Sequence, residues 1–159
     1  MVTLSFYKTE DFGDLTRYAL DELQSQFTAM PEATLEVIKE KNTGDKFPVT
    51  IVYHNKAVGF FVLDFGSDKL DFTPNENSVL VRSLSINPDY QGQGIGKTAM
   101  TGLSDFIKHH FPKCSEMVLA VNFNNKRAYD LYLDCGFEDE GKSRKMSKGV
   151  QHLLSKKIE

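Results

Sequence analysis

A chain of 159 residues with 40% hydrophobic and 26% charged side chains has the length for one domain, residues 1–159, with a sizeable core. Its formal net charge of −3 disfavours a nucleic-acid partner, and no apolar run is long enough to enter a membrane as a span. Cys114 and Cys135 form no CxxC pair and no metal cluster, so they read as free thiols of a reducing, cytoplasmic compartment with no metal. The N-terminal stretch lacks the basic-then-apolar order of a secretory signal.

Charge is uneven along the chain. Residues 1–90 hold 14 acids and 8 bases, whereas residues 91–159 hold 8 acids and 11 bases. A basic half suits a polyphosphate ligand and an acidic half suits a cationic one, although charge on a small domain is mostly solvated surface.

Val2 to Phe6 alternates apolar and polar residues and reads as a strand. Thr9 or Asp11 can cap a helix from Phe12 to Phe27, with Leu15, Tyr18, Ala19, Leu23 and Phe27 at helical spacing. A second helix is predicted over residues 32–41, with Leu35 and Ile38 inward, and Asn42 to Asp45 stops it. Asp21, Glu22, Glu32 and the ring of Phe27 surround the junction, read as a solvated face with one core aromatic.

Phe47 to Tyr53 and Ala57 to Phe65 form a predicted hairpin about His54-Asn55-Lys56, with His54 as polar surface. Residues 66–77 are a polar loop, either a connection or the rim of a second site. Val79 to Ile86 is the long central strand. A helix from Gly94 to Phe111 follows, with Ile95, Ala99, Leu103, Phe106 and Ile107 as its apolar stripe. Met117 to Val121 reads as a buried strand, Lys126 to Asp134 as a helix, and Gly136 as its left-handed cap. Phe137 to Glu140 and Val150 to Lys156 pair as final strands about a basic loop, residues 142–148. The order of elements argues for a mixed α/β fold.

The informative stretch is the strand that breaks at Asn87-Pro88 and passes through a glycine loop into a helix. Free N–H groups and the helix dipole make such a junction an anion site, so Gln91 to Lys97 reads as a pyrophosphate cradle. Gly92, Gly94 and Gly96 allow close backbone approach, and Gln93 and Lys97 can add donors. A Walker loop is excluded because its leading glycine falls on Gln91. Gly94, Gly96 and Ala99 fit a dinucleotide fingerprint, but the next strand ends in Asn122 with no acid to hold a ribose.

A third pattern, Q/R-x-x-G-x-G/A, is met by Gln91, Gly94 and Gly96, and it resembles the phosphate loop of the GNAT acyltransferase superfamily. NNKRAYDLYLDCGF, Asn124 to Phe137, is similar to that family's N-x-x-A-x-x-x-Y segment, through Asn125, Ala128 and Tyr132, with Gly136-Phe137 after it. The resemblance implies a GNAT-like, mostly antiparallel sheet flanked by helices, with a splayed central strand. It implies acetyl-CoA as cosubstrate and direct acetyl transfer to a primary amine of a small molecule or protein. Leu84, Ser85 and Ile86 would offer the pantetheine arm a strand edge. Gln91, Gly92, Gln93, Gly94, Ile95, Gly96 and Lys97 would hold the pyrophosphate, and Asn125 would bond the arm. Tyr132 takes the family position of the acid that protonates the leaving thiolate, with Tyr129 as fallback. Many members of the family are dimers, so a homodimer is an expected state.

Some members carry a basic glutamate early in the central strand, where this chain has Leu80. Glu76, Asp71 and Glu22 are possible substitutes. The missing base also motivates an alternative, a non-catalytic acyl-CoA sensor of the same fold. Lys126 and Arg127 read as exposed rather than phosphate-binding.

Overall fold

A computed structural model describes residues 1–20, 24 and 27–159 of the chain. Seven strands form one sheet in the order β1-β2-β3-β4-β5-β7-β6. They are β1 (Val2–Phe6), β2 (Lys46–Tyr53), β3 (Lys56–Asp64), β4 (Ser78–Ile86), β5 (Glu116–Asn122), β6 (Glu138–Met146) and β7 (Gly149–Lys157). The described helices are α1 (Phe12–Arg17), α2 (Pro31–Lys41), α3 (Ile95–His110) and α4 (Lys126–Asp134). Every strand pair is antiparallel except β4 with β5.

Alternation along the strands sorts the core onto two faces. Val79, Val81, Met117, Leu119, Val121 and Leu154 pack under α3 and α4. On the opposite face, α1 and α2 cover Ala57, Phe60 and Val62 through Leu15, Tyr18, Leu35 and Ile38. Farther along that face Phe72, from the loop after β3, lies with Leu80, Val118 and Leu153. The loop is held by Thr73 Oγ1 donating to Glu116 at 2.9 Å and by Asn75 donating to Ser115 at 3.0 Å. Asp64, 1% exposed on β3, is balanced by Arg82 at 3.0 Å, Lys46 at 3.6 Å and the Gly66 N–H at 2.8 Å. No described helix is long and apolar enough to cross a membrane.

Three expectations need correction. The first helix ends at Arg17, because Tyr18 adopts extended angles (φ −94°, ψ 154°) and helical phase is lost. Ala19 is therefore exposed, Phe27 lies in a turn, and Leu23 is outside the described residues. Asp11 does not cap that helix. Its carboxylate accepts from the Lys8 N–H and, at 2.8 Å, from the Thr50 hydroxyl. The basic segment after Glu140 is not a loop. It continues β6 to Met146, with an irregularity between Asp139 and Ser143 where Gly141 takes φ +84°.

Candidate active site

The parallel pair β4–β5 is short. Ser78, Val79 and Leu80 face Glu116, Met117 and Val118, and pairing ends there. Both strands run on, to Ile86 and Asn122, so a slot opens between them toward their C-terminal ends. This is the splayed central strand.

A bulge shapes the β4 side of the slot. Ser83 has φ +62°, and pairing with β3 slips by one residue between Phe60 and Val62. The extra residue inverts the alternation. Val79 and Val81 face α3 before it, and Leu84 and Ile86 pack with the same cluster after it. Ser85 then points to the other face, buried, where its Oγ lies 2.7 Å from the hydroxyl of Tyr18. Burial pushes the Tyr18 phenol up to about 12.

Backbone direction follows from two contacts. The Asn87 N–H donates to Val58 O of β3 at 2.8 Å, and Ser85 O lies 2.9 Å from where a Cβ on Gly59 would stand. Residues 85 and 87 thus turn their peptide groups toward β3. Alternation turns those of Leu84 and Ile86 into the slot. Of the three residues expected to form the edge, Leu84 and Ile86 present backbone there. Ser85 contributes a side-chain brace from behind.

The glycine loop sits at the open end. Pro88–Tyr90 forms a single tight turn, capped by Asn87 Oδ1 accepting from the Asp89 N–H at 3.0 Å. Gly92 (φ +78°) and Gly94 (φ +79°) then bring the chain round to α3, with free space where side chains would be. Left-handed angles, not crowding, require glycine at both. The first backbone bond of α3 runs from Thr98 N–H to Gly94 O, at 3.0 Å. The N–H groups of Ile95, Gly96 and Lys97 precede it, and the first turn contains no acid. Gln93 and Lys97 are exposed beside them, and Ile95 is buried as the anchor. Helix start and open loop together present free N–H groups and the positive end of a helix dipole, a setting that favours an anion. Gly96 differs from the other two. It is helical, and a Cβ there would lie 3.8 Å from Ile86 and Leu131.

Gln91 is not a free donor. Its Nε2 donates to Ile86 O at 2.8 Å, and its amide pairs reciprocally with that of Gln24, at 2.9 and 3.2 Å. It ties the loop to the last residue of β4 and to the segment before α2. Gln24 carried no motif signal and was not singled out by the sequence.

Across the slot, Asn125 precedes α4. Its Oδ1 accepts from the Ala128 N–H at 3.3 Å, leaving the amide nitrogen without a protein partner among the described residues. Tyr132 is 8% exposed, with its ring edge-on to Phe137 at 5.7 Å. Its hydroxyl has no hydrogen-bond partner among the described residues, and burial raises its pKa above the ordinary phenol value. Tyr129, one turn earlier, is committed elsewhere. It donates to Asp139 at 2.7 Å, and that bond raises its pKa.

Glu76 precedes Ser78 at the closed end of the strand pair, Asp71 lies 4.0 Å from Arg144, and Glu22 is outside the described residues with Asp21. Lys126 and Arg127 are exposed, Lys126 with Asp130 at 3.2 Å. Cys114 and Cys135 are separate buried thiols. No group of His, Cys, Asp or Glu among the described residues could hold a metal ion.

A sheet split beside an anion-binding helix start is the architecture of an acyltransferase, and this chain is one. It belongs to the Acetyltransferase (GNAT) family, whose model matches residues 14–137. It is 36% identical over 154 residues to an uncharacterized N-acetyltransferase, YbbJ of Bacillus subtilis (strain 168), covering 96% of this chain and 95% of that one. Its fold resembles the aminoglycoside acetyltransferase AAC(6')-Ib solved with coenzyme A, with TM-score 0.79, 14% identity, and 99% and 95% of the two chains covered. It also resembles the spermidine N-acetyltransferase of Vibrio cholerae solved with CoA and spermine, with TM-score 0.74, 15% identity, and 99% and 95% covered.

Proposed function

We propose that the chain is an acetyl-CoA-dependent N-acetyltransferase that moves the acetyl group directly to a primary amine. The observation that carries this is the coincidence, at one end of the sheet, of the opening between β4 and β5 and the unpaired N–H groups of Ile95 to Lys97. A cofactor with a diphosphate at one end and a diamide arm ending in a thioester meets matching groups in order. Gly92 to Lys97 take the diphosphate, with Gln91 holding the loop in shape. Leu84, Ile86 and the Asn125 amide pair with the arm, and Ser85 braces the strand against Tyr18.

In this reading the amine nitrogen attacks the thioester carbonyl and the developing oxyanion lies against a β4 N–H near Leu84. The C–S bond then breaks, the amine gives up a proton to solvent, and the thiolate receives one from Tyr132, which takes a proton back from solvent. An unpartnered, buried phenol keeps its proton at neutral pH. Transfer from a phenol to a thiolate runs against the ordinary pKa order, about 10 against about 8.5, so Tyr132 serves as a proton donor in place and not as a strong acid. The reading takes residues 1–159 as one N-acetyltransferase domain, working in the cytoplasm as a monomer or homodimer. Calorimetry with coenzyme A tests it, and absence of binding at millimolar ligand would refute it.

A further inference from the structure

We infer that Arg144 sets the class of acceptor: the amine substrate also carries a carboxylate, held by the fork of this guanidinium in place of Asp71. The inference rests on the acetyl-transfer reading above.

Cross-strand pairing fixes where Arg144 stands. Asn122, the last residue of β5, faces Gln151 on β7, and Gln151 faces Arg144 on β6. Paired residues share a face of the sheet. Leu153, two residues beyond Gln151, packs with Phe72, Leu80 and Val118, so this row lies on the face away from α3. The cofactor cradle occupies the α3 side of the slot. The opposite mouth, beside Asn122, would take the second substrate, and among the described residues the loop bearing Phe72 and the β6–β7 hairpin lie on that face.

Arg144 is immobilised at that mouth. Its Nε donates to Gln151 Oε1 at 2.8 Å, and its guanidinium carbon lies 4.7 Å from the centre of the Phe72 ring. The side chain therefore runs back from the sheet edge toward β5 and β4. A guanidinium has five N–H donors. Among the described residues only Nε donates a hydrogen bond, Nη1 faces Asp71 Oδ2 in a long ion pair at 4.0 Å, and Nη2 has no partner. The nearest carboxylate, Asp71, is 4.0 Å away and largely exposed. Arg82 is the contrast, with Nη1 bonded to Asp64 at 3.0 Å and Asp68 at 3.3 Å. An arginine with a fixed plane and a fork contested only by one exposed, distant carboxylate is the geometry for taking a substrate carboxylate through two parallel bonds. Lys142, Lys145 and Lys148 on the same hairpin add positive charge, which works against a polycationic acceptor.

Thiol release is measured with glycine, β-alanine, 4-aminobutyrate and lysine, each against its amide, and with spermidine. The expected result is a kcat/KM at least tenfold higher for an acid than for its amide. Arg144→Gln should raise KM for the acids 10–100-fold, leave kcat and coenzyme A affinity unchanged, and abolish the preference. Arg144→Lys should restore part of it. Asp71→Asn, which removes the competing carboxylate, should lower KM for the acids a few-fold, and it decides the matter if the Arg144 variants misfold. Amides or spermidine preferred by the wild type, or an Asp71→Asn variant with unchanged KM, would overturn the inference while leaving acetyl transfer intact. Failure of coenzyme A to bind would instead remove the underlying reading, and this inference with it.

Discussion

The side-chain nitrogen of Gln91 lies 2.8 Å from the main-chain oxygen of Ile86, so the residue that opens the glycine loop also terminates the central strand. That oxygen would otherwise face an unpaired slot. The glutamine thereby fixes the distance between the glycine loop, the proposed diphosphate cradle, and the strand edge.

Replacing Gln91 with alanine should therefore weaken coenzyme A binding more than it weakens the fold. The variant loses the bond to Ile86 O and both bonds to the Gln24 amide, and the lost pre-organisation of the loop should cost cofactor binding about 1–1.5 kcal/mol, or roughly tenfold in Kd. Calorimetry and a thermal melt on the same sample separate the two effects. A large drop in Tm with unchanged Kd would contradict the assignment.

Gly94 and Gly96 should respond oppositely to alanine. Gly94 sits at φ +79°, where a Cβ is strained by about 1–2 kcal/mol, so Gly94→Ala should distort the cradle and impair cofactor binding. Gly96 is helical and has 3.8 Å of clearance to Ile86 and Leu131. Gly96→Ala should leave stability equal or raise it by up to about 1 kcal/mol. Urea unfolding of both variants, with cofactor titration, provides the comparison.

Tyr132→Phe should lower kcat by roughly 10–100-fold with little change in coenzyme A affinity, as expected for an acid acting in the transition state. Tyr129→Phe is the matched control. Its hydroxyl already donates to Asp139 at 2.7 Å, so its loss should show in stability rather than turnover. Equal turnover losses in the two variants would remove Tyr132 from its role.

Tyr18 gives a pH prediction. Its folded pKa, about 12, exceeds the unfolded value near 10. Its contribution is fully present below about pH 10 and is lost as pH rises through 12, a decline of order 2–3 kcal/mol. Tyr18→Phe removes the titration and the bond to Ser85, so it should be less stable than wild type at pH 7 by about 1 kcal/mol. The gap should close and reverse above pH 10. Denaturant midpoints of both proteins across pH 7–11.5 would show a crossing, and parallel curves would count against it.

The elements that position the site were legible because their signals are local. Asn87-Pro88 stops β4, positive-φ glycines carry the turn, and Ile95, Ala99 and Leu103 repeat at helical spacing. Asn125 caps α4 through an ordinary side-chain bond. What escaped depends on distant contacts. Ser83 looks like any strand serine, and its positive φ is set by pairing with β3. The hydroxyl of Tyr18 meets Ser85 from 67 residues away, a bond no periodicity can report. Arg144 looked like one cation in a basic loop, because its ring partner comes from the loop after β3 and its amide partner from β7. The early end of α1 has the same origin, since Tyr18 leaves helical angles to reach its buried site.

The single residue by which β4 outruns β3 bends the strand without changing which faces its flanks present. Ser83 and Leu84 stand opposite Phe61 alone, so removing Ser83 would bring Leu84 opposite Phe61 and leave Ser85 on Phe60, with each downstream side chain on its present face. The deletion would take away the local bend and added twist, and β4 would lie straighter beside β5 where the slot now opens. One further inserted residue would do the opposite, turning Leu84 beneath the Tyr18 hydroxyl and Ser85 toward α3.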